Sequence, residues 1–142
     1  MFLPGGSKQF VAFIGLNPST ADETQDDPTV RRCIGFAKHW GFGGMFMLNI
    51  FALRSTDPRA LYRAEDPTGP ENDYWITQVV QKREVTRVVA CWGNHGALLS
   101  RGWEVKKLDR LRGALWRIGE LTKTGQPRHP LYLKGDLVPV LL

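Results

Sequence analysis

One turn near the start of the chain constrains the fold more than any other feature. Residues 10–14 are a short run of apolar and aromatic side chains, and a Gly-Leu-Asn-Pro-Ser turn follows at once. A short apolar run bounded by a polar turn is typical of a buried strand. At the carboxyl end of a strand in a parallel sheet, such a turn brings backbone amides and an Asn side chain to one point. The turn therefore predicts a ligand site at a strand end.

Three further segments also place polar residues or a glycine where a strand or loop ends. An apolar run leads into Asn49, a second leads into Trp92 and Gly93, and His129 lies in a polar segment far downstream. The carboxyl ends of parallel strands meet at one edge of a sheet, so these separated polar tips indicate one convergent pocket.

The segments between the strands predict helices and so a fold class. Asp27 can cap a helix that begins at Pro28, apolar residues then recur at spacings of three and four, and Gly41 ends the helix. We expect strands at residues 10–14, 45–50, 87–92 and 114–118, and a long polar connection at residues 52–72. Parallel strands need crossover helices, so this alternation predicts a three-layer α/β/α sandwich with a mainly parallel four-stranded central sheet. A chain of 142 residues has the usual size of one domain, and we expect a single domain over residues 1–142.

Composition narrows the function classes. Apolar residues make up 42% and charged residues 23% of the chain, as in globular proteins. No stretch reaches the roughly 18 apolar residues of a membrane span and no signal-peptide pattern begins the chain, so we expect no membrane association and a cytoplasmic location. Cys33 and Cys91 are too few for a four-cysteine metal site, and we expect no metal and no cofactor. An acidic cluster is formed by Asp22, Glu23, Asp26 and Asp27. Helix capping and solvation explain this cluster better than a Mg²⁺ site does.

The charge balance indicates the kind of partner. The chain has a formal net charge of +5, and the segment from Arg101 to Lys134 has nine Lys and Arg against three Asp and Glu. A basic half is compatible with a polyanion such as nucleic acid, and also with a solvated helix face. We expect nucleic acid, with DNA preferred, or a nucleotide as the partner.

Five short motifs together resemble a known family. They are Leu16-Asn17-Pro18-Ser19-Thr20-Ala21-Asp22, Asp27-Pro28-Thr29, Asn49-Ile50-Phe51, Trp92-Gly93 and His129-Pro130-Leu131-Tyr132-Leu133. In combination, from about Val11 to Leu133, they resemble the bacterial and phage domain of unknown function family 1643. More distantly, their order is similar to the uracil-DNA glycosylase superfamily, which has a Gly-x-Asp/Asn-Pro turn after its first strand, a strand ending in Asn, a strand ending near Trp-Gly and a late His-Pro.

The distant resemblance implies a glycosylase-like α/β fold and a role for each polar tip. Asn17 would hold the attacking water, Asn49 would read the edge of the base, and His129 would stabilise the departing base. These roles suit the chemistry, because cleavage of an N-glycosidic bond leaves negative charge on the base and needs donors and a positioned water. Further substrate contacts are expected from Gly15, Leu16, Pro18, Ser19, Phe51 and Arg54. Candidates for an aromatic wall against the base are Phe36, Phe42 and Phe51.

Each of these residues also has a purely structural interpretation. Asn17 can close its own turn, Asn49 can satisfy loop amides, and His129 can be a loop histidine held by its surroundings. The first functional hypothesis is a hydrolase of the N-glycosidic bond of an unpaired or modified nucleobase. The alternative is a noncatalytic nucleotide-binding or nucleic-acid-binding module, which Asn in place of Asp at position 17 favours. A third possibility is an enzyme of free nucleosides or small nucleotides.

Overall fold

A mainly parallel sheet of five strands forms the centre of the protein. The computed structural model describes residues 1–19 and 27–142. The strands are β1 (Phe10–Gly15), β2 (Gly44–Asn49), β3 (Val85–Ala90), β4 (Leu115–Ile118) and β5 (Pro139–Leu141). Their order is β2-β1-β3-β4-β5, the first four run parallel, and β5 runs antiparallel to β4. The carboxyl ends of β1 to β4 therefore lie at the same edge of the sheet.

Short helices connect the strands. Within the described ranges these are α1 (Pro28–His39), α2 (Arg59–Arg63), α3 (Asn72–Val80), α4 (Arg101–Lys106) and two 3₁₀ helices at Asn94–Ser100 and Pro130–Tyr132. As predicted, Asp27 caps α1: its Oδ1 accepts from the backbone N–H groups of Thr29 and Val30 at 2.8 and 3.3 Å. In this part of the chain, no helix has both the length and the apolar character needed to cross a membrane.

Both faces of the sheet are covered. Every residue of β1 is buried, since this strand lies between β2 and β3. On one face Phe13 shares a core cluster with Phe36 of α1. On the other face Ile14 shares a cluster with Ile76 of α3 and Val105 of α4. In the described part of the chain, helices thus cover both faces of the sheet and the ends of the strands stay open.

The prediction of four strands was wrong, because the sheet has a fifth. Trp116 of β4 pairs with Leu141, and Ile118 pairs with Pro139. Proline cannot donate a ladder hydrogen bond and is therefore tolerated at a sheet edge, which is where β5 lies. The predicted polar connection at residues 52–72 also contains structure, since α2 lies within it.

Candidate functional site

A cavity of about 700 Å³ opens at the carboxyl ends of the parallel strands. Its walls come from the turn after β1, the N-terminus of α1, the end of β2 with its following loop, the loop after β3, and the segment around His129. The side chains of Asn17, Asn49 and His129, which the sequence predicted to converge, all belong to this lining. The volume is within the usual range for small-molecule sites, roughly 300–1,000 Å³. A second cavity of about 510 Å³, lined in part by His39 and Arg87, contains none of the predicted site residues.

Asn17 is fixed by its amide nitrogen. Nδ2 donates to the backbone carbonyls of Leu53 and Ser55 at 2.9 and 3.1 Å, and more weakly to that of Pro18 at 3.4 Å. These acceptors identify which end of the amide is nitrogen, and Oδ1 is left without a partner among the described residues. The residue thus does two things: it ties the turn after β1 to the loop after β2, and it keeps one acceptor for a ligand or a water.

Asn49 lines the cavity with a side-chain amide that no described group binds. Its Oδ1 lies over Gly15, where a Cβ atom would come within 3.0 Å of it. The backbone that carries Asn49 is held from behind, because Nδ2 of Asn72 donates to the carbonyls of Asn49 and Ile50 at 2.9 Å each. Arg101, which is buried, donates from Nε to the Ile50 carbonyl at 2.7 Å. A free amide on a fixed backbone can present both a donor and an acceptor to a ligand.

His129 is half-buried, and the contacts around it select its neutral form. Burial lowers its pKa below the ordinary 6.5; the negative charge of Asp27 opposes this shift and His95 adds to it. Nδ1 accepts from the backbone N–H of Leu131 at 3.3 Å, which starts the 3₁₀ helix Pro130–Tyr132. With Nδ1 acting as acceptor, the ring proton of the neutral imidazole is on Nε2. In its neutral form His129 can therefore donate from Nε2.

Gly93 brings the segment of His129 to the end of β3. Its N–H donates to the carbonyl of Pro127 at 2.8 Å. Its φ is +73° and its ψ is −170°, a backbone conformation that is essentially limited to glycine. A Cβ at this position would lie 3.3 Å from the Cβ of His129.

One carboxylate, that of Asp27, lines the described part of the cavity. It sits at the N-terminus of α1, where the two backbone N–H groups that it accepts hold it in place. Its negative charge raises the pKa of His129 and so opposes the effect of burial.

The comparisons with known proteins give a family and no function. The family model described as "Protein of unknown function (DUF1643)" matches residues 5–131. The chain belongs to this family. No curated protein and no solved structure matches it. The matched range includes every residue that the DUF1643 domain places around the cavity except Tyr132.

The remaining predicted residues of this DUF1643 domain divide into two groups. Leu16, Pro18, Ser19 and Arg54 line the cavity, and Arg54 donates from Nη1 to the carbonyl of Ser19 at 3.2 Å. Gly15 and Phe51 do not line it. Gly15 lies beneath the Asn49 amide, and because it has no side chain it leaves room for that amide.

None of the three phenylalanines considered as an aromatic wall lines the cavity. Phe36, Phe42 and Phe51 are buried in the two cores, and Phe51 is 0% exposed. Tyr132 instead lines the cavity, with 88% of its surface exposed and its ring centroid 6.5 Å from that of His129. Local sequence does not indicate this, because Tyr132 reaches the rim through the 3₁₀ helix that His129 caps.

No three His, Cys, Asp or Glu side chains in residues 1–19 and 27–142 are grouped so that they could hold a metal ion. Of the acidic cluster considered as a Mg²⁺ site, Asp22, Glu23 and Asp26 lie outside the described residues. Asp27 caps α1.

Proposed function

We propose that the cavity binds a nucleobase and that the protein is a hydrolase of the N-glycosidic bond of an unpaired or modified nucleobase in nucleic acid. The site would then resemble that of the uracil-DNA glycosylase superfamily. The observation that carries this proposal is the convergence of Asn17, Asn49 and His129 on one cavity at the strand ends.

The free amide of Asn49 is the group that reads the base. An amide matches an edge that presents one acceptor and one donor side by side, as pyrimidines and purines do. Asn72 and Arg101 fix the backbone that carries this amide. Tyr132 at the rim offers an aromatic face for stacking.

His129 and Asn17 serve the bond that breaks. Negative charge develops on the departing base, and Nε2–H of a neutral His129 is a donor that can stabilise it. Oδ1 of Asn17 is an acceptor that can hold a water for attack on the sugar carbon. A neutral donor suits this step because it needs no proton transfer before the bond lengthens.

Release of free base is the direct test. Purified protein is incubated with single-stranded and mismatched DNA carrying one uracil, hypoxanthine or modified pyrimidine, and the free base is measured by chromatography. We expect release from at least one substrate, and a fall of about 100-fold in His129→Gln, the scale of losing one donor to a developing charge. His39→Gln is the matched control, since His39 lines the other cavity. No release from any substrate, beside a glycosylase active in the same buffer, would contradict the proposal.

A noncatalytic nucleotide-binding or nucleic-acid-binding module is the second candidate. The observation that favours it is the chemistry at position 17, where an uncharged side chain spends its nitrogen on holding the carbonyls of Leu53 and Ser55. Such a residue offers no charge to a sugar cation and is a weak base.

Binding and turnover separate the two candidates. Fluorescence anisotropy gives the affinity for the same labelled oligonucleotides, and chromatography gives the released base. Tight binding with no release, weakened in Asn49→Ala and Arg54→Gln, would select the binding module. Binding followed by release would select the hydrolase.

A further inference from the structure

The proposed hydrolysis lacks a base in the machinery assigned so far. Water that attacks a sugar carbon must lose a proton, and the amide oxygen of Asn17 can orient water without accepting that proton. His129, as the donor to the departing base, already has its proton on Nε2. The acceptor must therefore come from another part of the cavity.

Asp27 has the chemistry and the placement for that role. It is the carboxylate in the described lining of the cavity that holds His129 and Asn17. Its Oδ1 is committed to the N–H groups of Thr29 and Val30, at 2.8 and 3.3 Å. Oδ2 receives no hydrogen bond from any described group, so one oxygen fixes the carboxylate and the other is available to a water.

We propose that Asp27 is the general base of the reaction, a catalytic residue supplied by the helix α1 rather than by the turn after β1. This inference rests on the proposed function. The water is held by Oδ1 of Asn17 and Oδ2 of Asp27. Its oxygen forms a bond to C1′ as the C1′–N bond breaks, the electron pair of that bond goes to the base, and Nε2–H of His129 stabilises it. The water proton goes to Asp27, and the departing base takes up a proton from solvent when it leaves.

The other charged groups of the cavity fit this assignment. His95, from the 3₁₀ helix after β3, and Arg54, from the loop after β2, line the same cavity as Asp27 and His129. Nδ1 of His95 shares a hydrogen bond of 2.9 Å with the hydroxyl of Tyr62. Arg54 is held at the rim by the carbonyl of Ser19. Arg54 is a cation and cannot take a proton from water, and His95 shares its Nδ1 with the hydroxyl of Tyr62.

The capping role of Asp27 provides a well-matched variant. Asn caps helices about as well as Asp does, so Asp27→Asn keeps the acceptor for Thr29 and Val30 and removes only the charge. We expect the single-turnover rate of base release to fall by about 100-fold or more, with the dissociation constant for the substrate changed less than about threefold. Asp27→Ser, which also caps, gives a second folded variant that lacks a carboxylate. Asp109→Asn is the control for loss of one negative charge, because Asp109 is exposed and pairs with Arg112 outside the cavity.

A second readout does not depend on activity. The pKa of His129, measured by NMR titration, is expected to be lower in Asp27→Asn, because the charge that raises it is gone. It is expected to stay as in the native protein in Asp109→Asn. A rate loss without this change in pKa would mean that Asp27 acts from outside the His129 environment, and would overturn the assignment.

The outcomes separate this inference from the function on which it rests. No base release by the native protein overturns both. A second result is that the native protein releases base while Asp27→Asn or Asp27→Ser loses less than about 100-fold in rate. That result overturns only the role of Asp27. A rate loss in both variants, with substrate affinity kept and the pKa of His129 lowered, supports the assignment of Asp27 as the base.

Discussion

The surroundings of Asn17 suit an amide better than a carboxylate. Its Nδ2 faces three backbone carbonyls, from Pro18, Leu53 and Ser55, and donates to them. An aspartate has no hydrogen to donate there and would place a negative oxygen against the same carbonyls. The side chain is therefore as much a structural tie between two loops as a possible ligand group.

This gives a prediction for Asn17→Asp. The two close hydrogen bonds are lost and replaced by repulsion between oxygens, so we expect the free energy of unfolding to fall by about 1–3 kcal/mol. Urea unfolding followed by circular dichroism measures the change. Asn17→Ala removes the same bonds without adding an oxygen, and should cost less than Asn17→Asp. A variant Asn17→Asp as stable as the native protein would show that the carbonyls of Leu53 and Ser55 do not depend on this amide.

His129 makes the stability of the protein depend on pH. Burial holds its folded-state pKa below the 6.5 of the unfolded chain. Between the two values the unfolded chain binds more protons, so stability is fully present above about pH 6.5 and falls as pH drops through this window. His129→Asn does not titrate and still offers an acceptor to the N–H of Leu131. We expect the melting temperature of His129→Asn to fall less than that of the native protein between about pH 7.5 and about pH 5. Equal falls would contradict the lowered pKa.

Among the elements, the ones that sequence predicts well are those with local signals. The strand before Gly15, the cap at Asp27 and the strand that ends at Asn49 each combine an apolar run with a turn or capping residue, and all three are where the pattern puts them. Parallel pairing then brings the tips together without further information, as the register of Gly15 beside Asn49 shows. The lining of one cavity by Asn17, Asn49 and His129 follows the same logic.

Other elements are set by contacts between distant parts of the chain. β5 is a strand because residues near the C-terminus find the open edge of β4, and Pro139 by itself argues against a strand. Phe51 follows the end of β2, which makes it a candidate to stack on a base. Its N–H instead donates to the carbonyl of Leu16, and its ring packs in the core. Asn72 and Arg101 hold the end of β2 from two helices, and nothing in their local sequence points to that strand.

The close pairing of Gly15 in β1 with Asn49 in β2 gives a prediction that separates function from stability. A Cβ at Gly15 would lie 2.7 Å from Cε of Met47 and 3.0 Å from Oδ1 of Asn49, both at the flexible ends of side chains. In Gly15→Ala these side chains must move, so we expect weaker ligand binding by about tenfold, a loss of roughly 1.4 kcal/mol. Gly35→Ala, where a Cβ in α1 meets nothing within 4 Å, is the control and should keep affinity while gaining about 0.5–1 kcal/mol of stability. Unchanged affinity in Gly15→Ala would show that the amide of Asn49 is not the group that reads the ligand.

At the scale of the whole molecule, charge and topology act together. The formal net charge is +5, which attracts a polyanion to the protein without orienting it. Orientation requires cations beside the cavity rather than elsewhere, and Arg54 is exposed at its rim. Arg83 is also exposed, but it lies just before β3, at the amino ends of the parallel strands and so at the far end of the sheet from the cavity.

With these two arginines, the salt dependence of binding tests where a bound DNA strand lies on the protein. Each phosphate contact to single-stranded DNA releases counterions, and the slope of log K against log salt changes by about 0.7 per contact. We expect Arg54→Gln to make that slope shallower by about 0.7, and Arg83→Gln to leave it unchanged although both variants lose one positive charge. Anisotropy of a labelled single-stranded oligonucleotide, titrated from low to moderate salt, measures both slopes. If the two variants changed the slope equally, the basic surface would act only through net charge, and the bound DNA strand would not pass the cavity rim at Arg54.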